Sequence, residues 1–130
     1  MARVPGAIPA RVLGVVTIGY SVAVLARPEV LAGPLGFADA SGDAPQDVAV
    51  LCRAISGRDV VSGAAMALAP SRSTLLLAIG VRVGCDVVDA VLFGSLLPDP
   101  ETRTKAVLVA SGFGALCALS ALPLRRRRVA

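Results

Sequence analysis

Arg82-Val83-Gly84-Cys85-Asp86-Val87-Val88-Asp89 sits in the middle of an apolar run, Thr74 to Leu97. That run has the length of a membrane-crossing helix, for which about 20 mainly apolar residues suffice. A second run, Val48 to Ala69, carries Arg53, Arg58 and Asp59. Three cationic and three anionic groups therefore lie where hydrocarbon is expected. Two further runs flank these, one from Val12 to Ala26 and one from Glu101 to Leu122. The four runs take up most of the 130 residues and leave no room for a separate soluble domain. They predict an all-α integral membrane protein, a four-transmembrane-helix antiparallel bundle. It would form one domain over 1–130, with spans at about 8–26, 47–69, 74–97 and 102–122.

Composition agrees. Hydrophobic residues make up 55% of the chain and charged residues 17%, with a mean hydropathy of +0.77. A soluble domain of this size needs more polar surface. The net charge is +4. Much of it lies in Arg125 to Arg128, directly after an apolar run. That placement suits a basic anchor at the lipid bilayer surface and not a nucleic-acid partner. Arg outnumbers Lys twelve to one, as in proteins from GC-rich bacterial genomes.

Arg3, Arg11, Arg72 and the four C-terminal arginines fall on one side of the spans; Arg27, Arg103 and Lys105 fall on the other. Basic loops stay inside, so both termini are expected in the cytoplasm and the protein in the plasma membrane. The basic start and apolar core of the first run also fit a cleaved signal. Three more spans follow it, and it is read as a retained helix.

Residues 27–46 form the longest polar connection and hold Pro28, Gly36, Asp39 and Gly42 beside Leu31, Leu35 and Phe37. It reads as an interfacial loop, with a lid over the bundle as the alternative. Ser71-Arg72-Ser73 joins the second and third spans tightly, which makes them antiparallel neighbours. Small residues four apart, Gly19/Ala23 and Ala110/Gly114/Ala118, suggest close-packing faces.

On a helical wheel Asp86 lies about 40° to one side of Arg82 and Asp89 about 20° to the other. The three form one stripe. Gly80 and Gly84 fall on the opposite face, expected to admit a neighbouring backbone. Comparing depths along antiparallel helices pairs Arg58 with Asp86 and Asp59 with Arg82. Arg53 is level with Asp89 but more than about 100° from Arg58 and Asp59. It either wraps round to Asp89 or snorkels to the outer surface. Each charge at mid-membrane costs about 2.5–3.5 kcal/mol on the gentlest scale, so all must face the interior.

The chain has three cysteines and no histidine. Cys52, Cys85 and Cys117 form no C-x-x-C pair and read as small hydrophobes. No cofactor or metal site is expected, and acid–base chemistry would fall to Asp59, Asp86 and Asp89, the catalytic candidates. Arg53, Arg58 and Arg82 are the binding candidates. Intramembrane charges usually mark function, though fixing helix register is their best-attested structural use. The expected function is a polar pocket for a lipophilic small molecule. The alternatives are a non-catalytic membrane subunit and a membrane-embedded acid–base enzyme (hydrolase, isomerase or cyclase). A homo-oligomer or a membrane partner fits any of these. A monomeric transporter does not, for want of an internal repeat.

Pro28 and Gly36, the stretch Arg53-Ala-Ile-Ser-Gly57-Arg58-Asp59-Val-Val-Ser-Gly63, and Arg82 with Asp86 and Asp89 together carry a resemblance. The layout resembles small bacterial four-helix membrane proteins of the domain-of-unknown-function 4267 and DoxX-like kind. The resemblance covers nearly the whole chain. It implies a four-helix membrane bundle and no particular reaction.

Overall fold

The computed structural model describes residues 3–126. Of the C-terminal arginines, Arg127 and Arg128 lie outside the described residues. Among the described residues the chain is all-helical: α1 (Ile8–Ala26), α2 (Glu29–Ala32), α3 (Gln46–Leu68), α4 (Arg72–Leu96), α5 (Pro100–Leu119) and α6 (Leu122–Arg125). The four long helices match the four expected segments to within a few residues. Two stretches, Ile8–Ala26 and Pro100–Arg125, are long and apolar enough to cross a membrane.

Local chemistry sets the helix ends. Ser71 and Thr74 form a reciprocal capping box at the start of α4. Asp99 caps α5 by accepting from the Thr102 amide at 2.8 Å, with Pro100 in the first turn. That bond holds the Asp99 carboxyl below the usual carboxylate range. Pro123 is not the stop it resembles in sequence. α5 ends at Leu119, and Pro123 enters the first turn of α6, where a missing N–H costs nothing.

Arginines close the helix C-termini. Arg11 donates to the Ala67 and Ala69 carbonyls at 2.9 and 3.0 Å. Arg72 donates to Leu124 at 2.7 Å, Arg103 to Leu97 at 3.0 Å and Arg53 to Leu25 at 3.1 Å. A guanidinium there satisfies an unpaired carbonyl and meets the negative end of the helix dipole.

The long helices run antiparallel to their partners. Arg11 meets Ala67 and Arg53 meets Leu25, so α1 opposes α3. Gly94 faces Val107 and Asp86 faces Gly114, so α4 opposes α5. These two pairs are the extensive interfaces, and α3 touches α4 much less. The α1–α3 seam is built from small residues. A Cβ on Gly14 would stand 2.6 Å from the Gly63 carbonyl, and one on Gly63 would stand 2.7 Å from the Gly14 carbonyl. Of the glycine faces expected from sequence, the one at Gly114 packs against Asp86, and those at Gly19 and at Gly80 and Gly84 do not pack. Gly19, Gly80 and Gly84 have open space where a Cβ would be.

All four long helices meet at one end. There Ala7, Ala10, Met66, Leu75, Ile79, Cys117 and Leu124 form a common core. Towards the other end the two pairs separate and leave a cavity between them. The 27–46 connection folds over that end. Gly36 takes a left-handed conformation at φ +77, and Leu31, Pro34 and Leu35 face the cavity.

Candidate functional site

The floor of the cavity is the charge network. Arg82 on α4 is 4% exposed and Asp86 is 3% exposed. Arg82 donates to both Asp86 oxygens, Nε to Oδ2 at 3.2 Å and Nη2 to Oδ1. Its Nη1 lies 2.9 Å from Asp59 Oδ1 and donates to Ser62 Oγ at 3.3 Å. The guanidinium also lies over the Phe113 ring, 5.5 Å from its centroid, a favourable cation–π distance. Arg58 on α3 grips Asp89 with both arms, Nη1 to Oδ1 at 3.1 Å and Nη2 to Oδ2 at 2.8 Å. Its Nε donates to Asp59 Oδ1 at 3.0 Å. Asp59 thus bridges the two arginines and ties α3 to α4 where their packing is thin. Among the described residues no buried side-chain polar atom lacks a hydrogen-bond partner.

The Asp59–Arg82 pair is where depth and wheel angle put it. The expected Arg58–Asp86 pair does not form. Asp86 turns towards α5, where its Cβ fills the space beside Gly114, 3.0 Å from where a Cβ on that glycine would be. Arg82, one turn back, holds both its oxygens. Arg58 reaches along the helix axis to Asp89 instead. Arg53 is not in the network. It is exposed and bonds the end of α1, which corrects the Arg53–Asp89 alternative.

The cavity above this floor has a volume of about 410 Å³, within the range of small-molecule sites. Asp59, Arg82, Asp86 and Asp89 line its base. Val16, Ile55, Val109 and Phe93 line its walls, and Lys105 stands at the mouth. Lys105 pairs with Glu101 at 2.7 Å. On the far side of the network a second, apolar groove is lined by Arg58, Val61, Ser62, Leu77 and Cys85.

No protein-family model, curated protein or solved structure matches this chain.

Sequence reasoning missed the α1 contribution. Ala10, Gly14, Thr17, Ser21 and Val24 are buried along one stripe, and Thr17, Ser21 and Tyr20 line the cavity. The signal was present as small and polar residues at alternating spacings of four and three, the seam pattern of paired helices. The α3 residues Ala49, Cys52, Ser56, Gly63 and Met66 follow the same rhythm. Asp59 occupies the missing position in that series, which is why it points inward. Among the described residues no group of His, Cys, Asp or Glu could hold a metal ion.

Proposed function

We propose that this chain is a four-span plasma-membrane protein with both ends cytoplasmic, of the kind its sequence resembles. Its Arg/Asp network floors a pocket for a lipophilic small molecule with a polar head. The distribution of residues supports the membrane setting. Thr17, Ser21, Ser56, Ser62, Arg82 and Asp86 are buried, while Val15, Val61, Leu77, Val91 and Leu108 are more than half exposed. Buried polar and charged groups beside the apolar core, with large aliphatics outside, depart from the soluble pattern and suit a lipid surround. The two apolar helices, α1 and α5, agree with it.

The observation that carries the pocket reading is the cavity itself, apolar on its walls and ionic at its base. Small-molecule sites combine these two features. Catalysis has less support. Asp86 and Asp89 each give both oxygens to an arginine, which leaves Asp59 as the one carboxylate of the network with a free side. A second reading, a non-catalytic subunit whose charges lock the helices, is favoured by the full pairing of the buried groups.

Ala110→Trp separates the two readings by filling the cavity from its α5 wall. The purified wild type is expected to carry a stoichiometric lipophilic molecule, detected by mass spectrometry of an organic extract. The variant is expected to fold and to lack it. A wild type with no bound molecule, and a folded variant with an unchanged cellular phenotype, would support the locking role instead.

A further inference from the structure

Once Arg53 is excluded, the network joins two guanidiniums, Arg58 and Arg82, to three carboxylates, Asp59, Asp86 and Asp89. Fully ionised, it carries one surplus negative charge. Lys105, the other charged residue on the cavity wall, does not offset it, because Glu101 neutralises that ammonium at the mouth. An uncompensated charge beside apolar walls is costly, so the cavity favours a positive occupant.

One carboxylate oxygen of the network stays open to the cavity. Asp86 and Asp89 use both oxygens on arginines. Asp59 uses only Oδ1, which both arginines approach. Among the described residues no hydrogen bond reaches Asp59 Oδ2, and Asp59 lines the cavity. Aromatic residues collect at the same place. The chain has four, and three of them, Tyr20, Phe93 and Phe113, line this cavity. Ring faces are electrostatically negative and attract cations; Arg82 over Phe113 already uses one.

Building on the pocket reading, we propose that the occupant is a lipophilic monocation. Its organic ammonium head lies against Asp59 near the Tyr20 and Phe93 rings, and its hydrocarbon body lies along Val16, Ile55 and Val109. An anionic head would meet the net-negative floor.

The test uses the full chain in phosphatidylcholine nanodiscs, with empty nanodiscs as the blank. Equilibrium dialysis compares octyltrimethylammonium, octanol and octanesulfonate, which share a tail and differ in head charge. The fixed charge of the first probe cannot be lost as a proton. Saturable binding of the cation is expected, about tenfold or more tighter than that of octanol, with octanesulfonate weakest. Asp59→Asn should abolish that preference, bringing cation binding down to that of octanol. Should Asp59→Asn fail to fold, Phe93→Leu, which leaves every ion pair in place, should reduce the preference. Octanesulfonate binding as tightly as the cation would overturn the proposal, as would an unaltered preference in folded Asp59→Asn. Saturable octanol or octanesulfonate binding without cation binding would spare the pocket and sink the cation. No saturable binding of any probe would overturn both.

Discussion

Asp86 is the most constrained residue of the network, held by Arg82 on its own helix and backed by Gly114 on α5. Removing it leaves Arg82 buried with Asp59 and Ser62 alone. Asp86→Ala removes two charge-assisted hydrogen bonds while Arg82 keeps Asp59, so it should destabilise by about 1–3 kcal/mol in a reversible detergent-unfolding titration. Arg53→Ala should stay within about 0.5 kcal/mol of the wild type, since Arg53 is exposed and bonds one carbonyl. Equal losses for the two variants would return Arg53 to the network. The sequence contained the angles needed to avoid misplacing Arg58. Asp86 and Asp89 lie on opposite sides of Arg82, the first towards α5 and the second towards α3. Pairing by depth ignored that side, because one sequence does not say which neighbour each flank meets.

At the scale of the element, helix limits were legible because proline, capping and apolar length all act locally. α1 shows this, running Ile8–Ala26 as expected with Pro28 just beyond. By contrast, α4 starts at Arg72, inside the stretch read as the connection, because Ser71 and Thr74 cap each other. Packing faces were less legible, since a small residue permits close approach without requiring it. Gly14 and Gly63 touch across a seam, whereas Gly80 and Gly84 touch nothing. Gly63→Ala should thus force two backbones apart and cost about 1–3 kcal/mol. Gly80→Ala should stabilise by up to about 1 kcal/mol through helix propensity alone. The same unfolding titration reads both, and a loss at Gly80 would mean that a partner covers that face. The α5 cap supplies a pH-dependent element. The Asp99 carboxyl titrates below its ordinary value because the Thr102 amide donates to its charged form. Its contribution is therefore complete above the unfolded-state value and lost as pH falls through the lower folded value. Exchange of the Thr102 amide should speed up over that acidic window, beyond the intrinsic pH trend. Asp99→Asn should remove the excess.

Over the described residues, the bundle is tight at the end where Ala7 and Leu124 pack and open at the end covered by the 27–46 connection. A lipophilic ligand would then enter near the outer surface, beneath Leu31 and Leu35. This depends on orientation, which rests on the arginine distribution. Arg3, Arg11, Arg72, Arg125 and Arg126 gather at the closed end, and Arg27, Arg53, Arg103 and Lys105 at the open end. Arg53 and Arg103 there are committed to helix-terminal carbonyls, and Arg27 pairs with Glu29. The described residues alone give little bias, so much of the inward pull falls to the basic C-terminal block. Cysteine labelling tests the orientation directly. In a background of Cys52→Ala, Cys85→Ala and Cys117→Ala, a membrane-impermeant maleimide should label Ala40→Cys in intact cells. Ser73→Cys should react only after permeabilisation. Labelling in the reverse order would put the cavity mouth in the cytoplasm and require its ligand to come from inside the cell. Equal labelling of both in intact cells would remove the four-span topology itself.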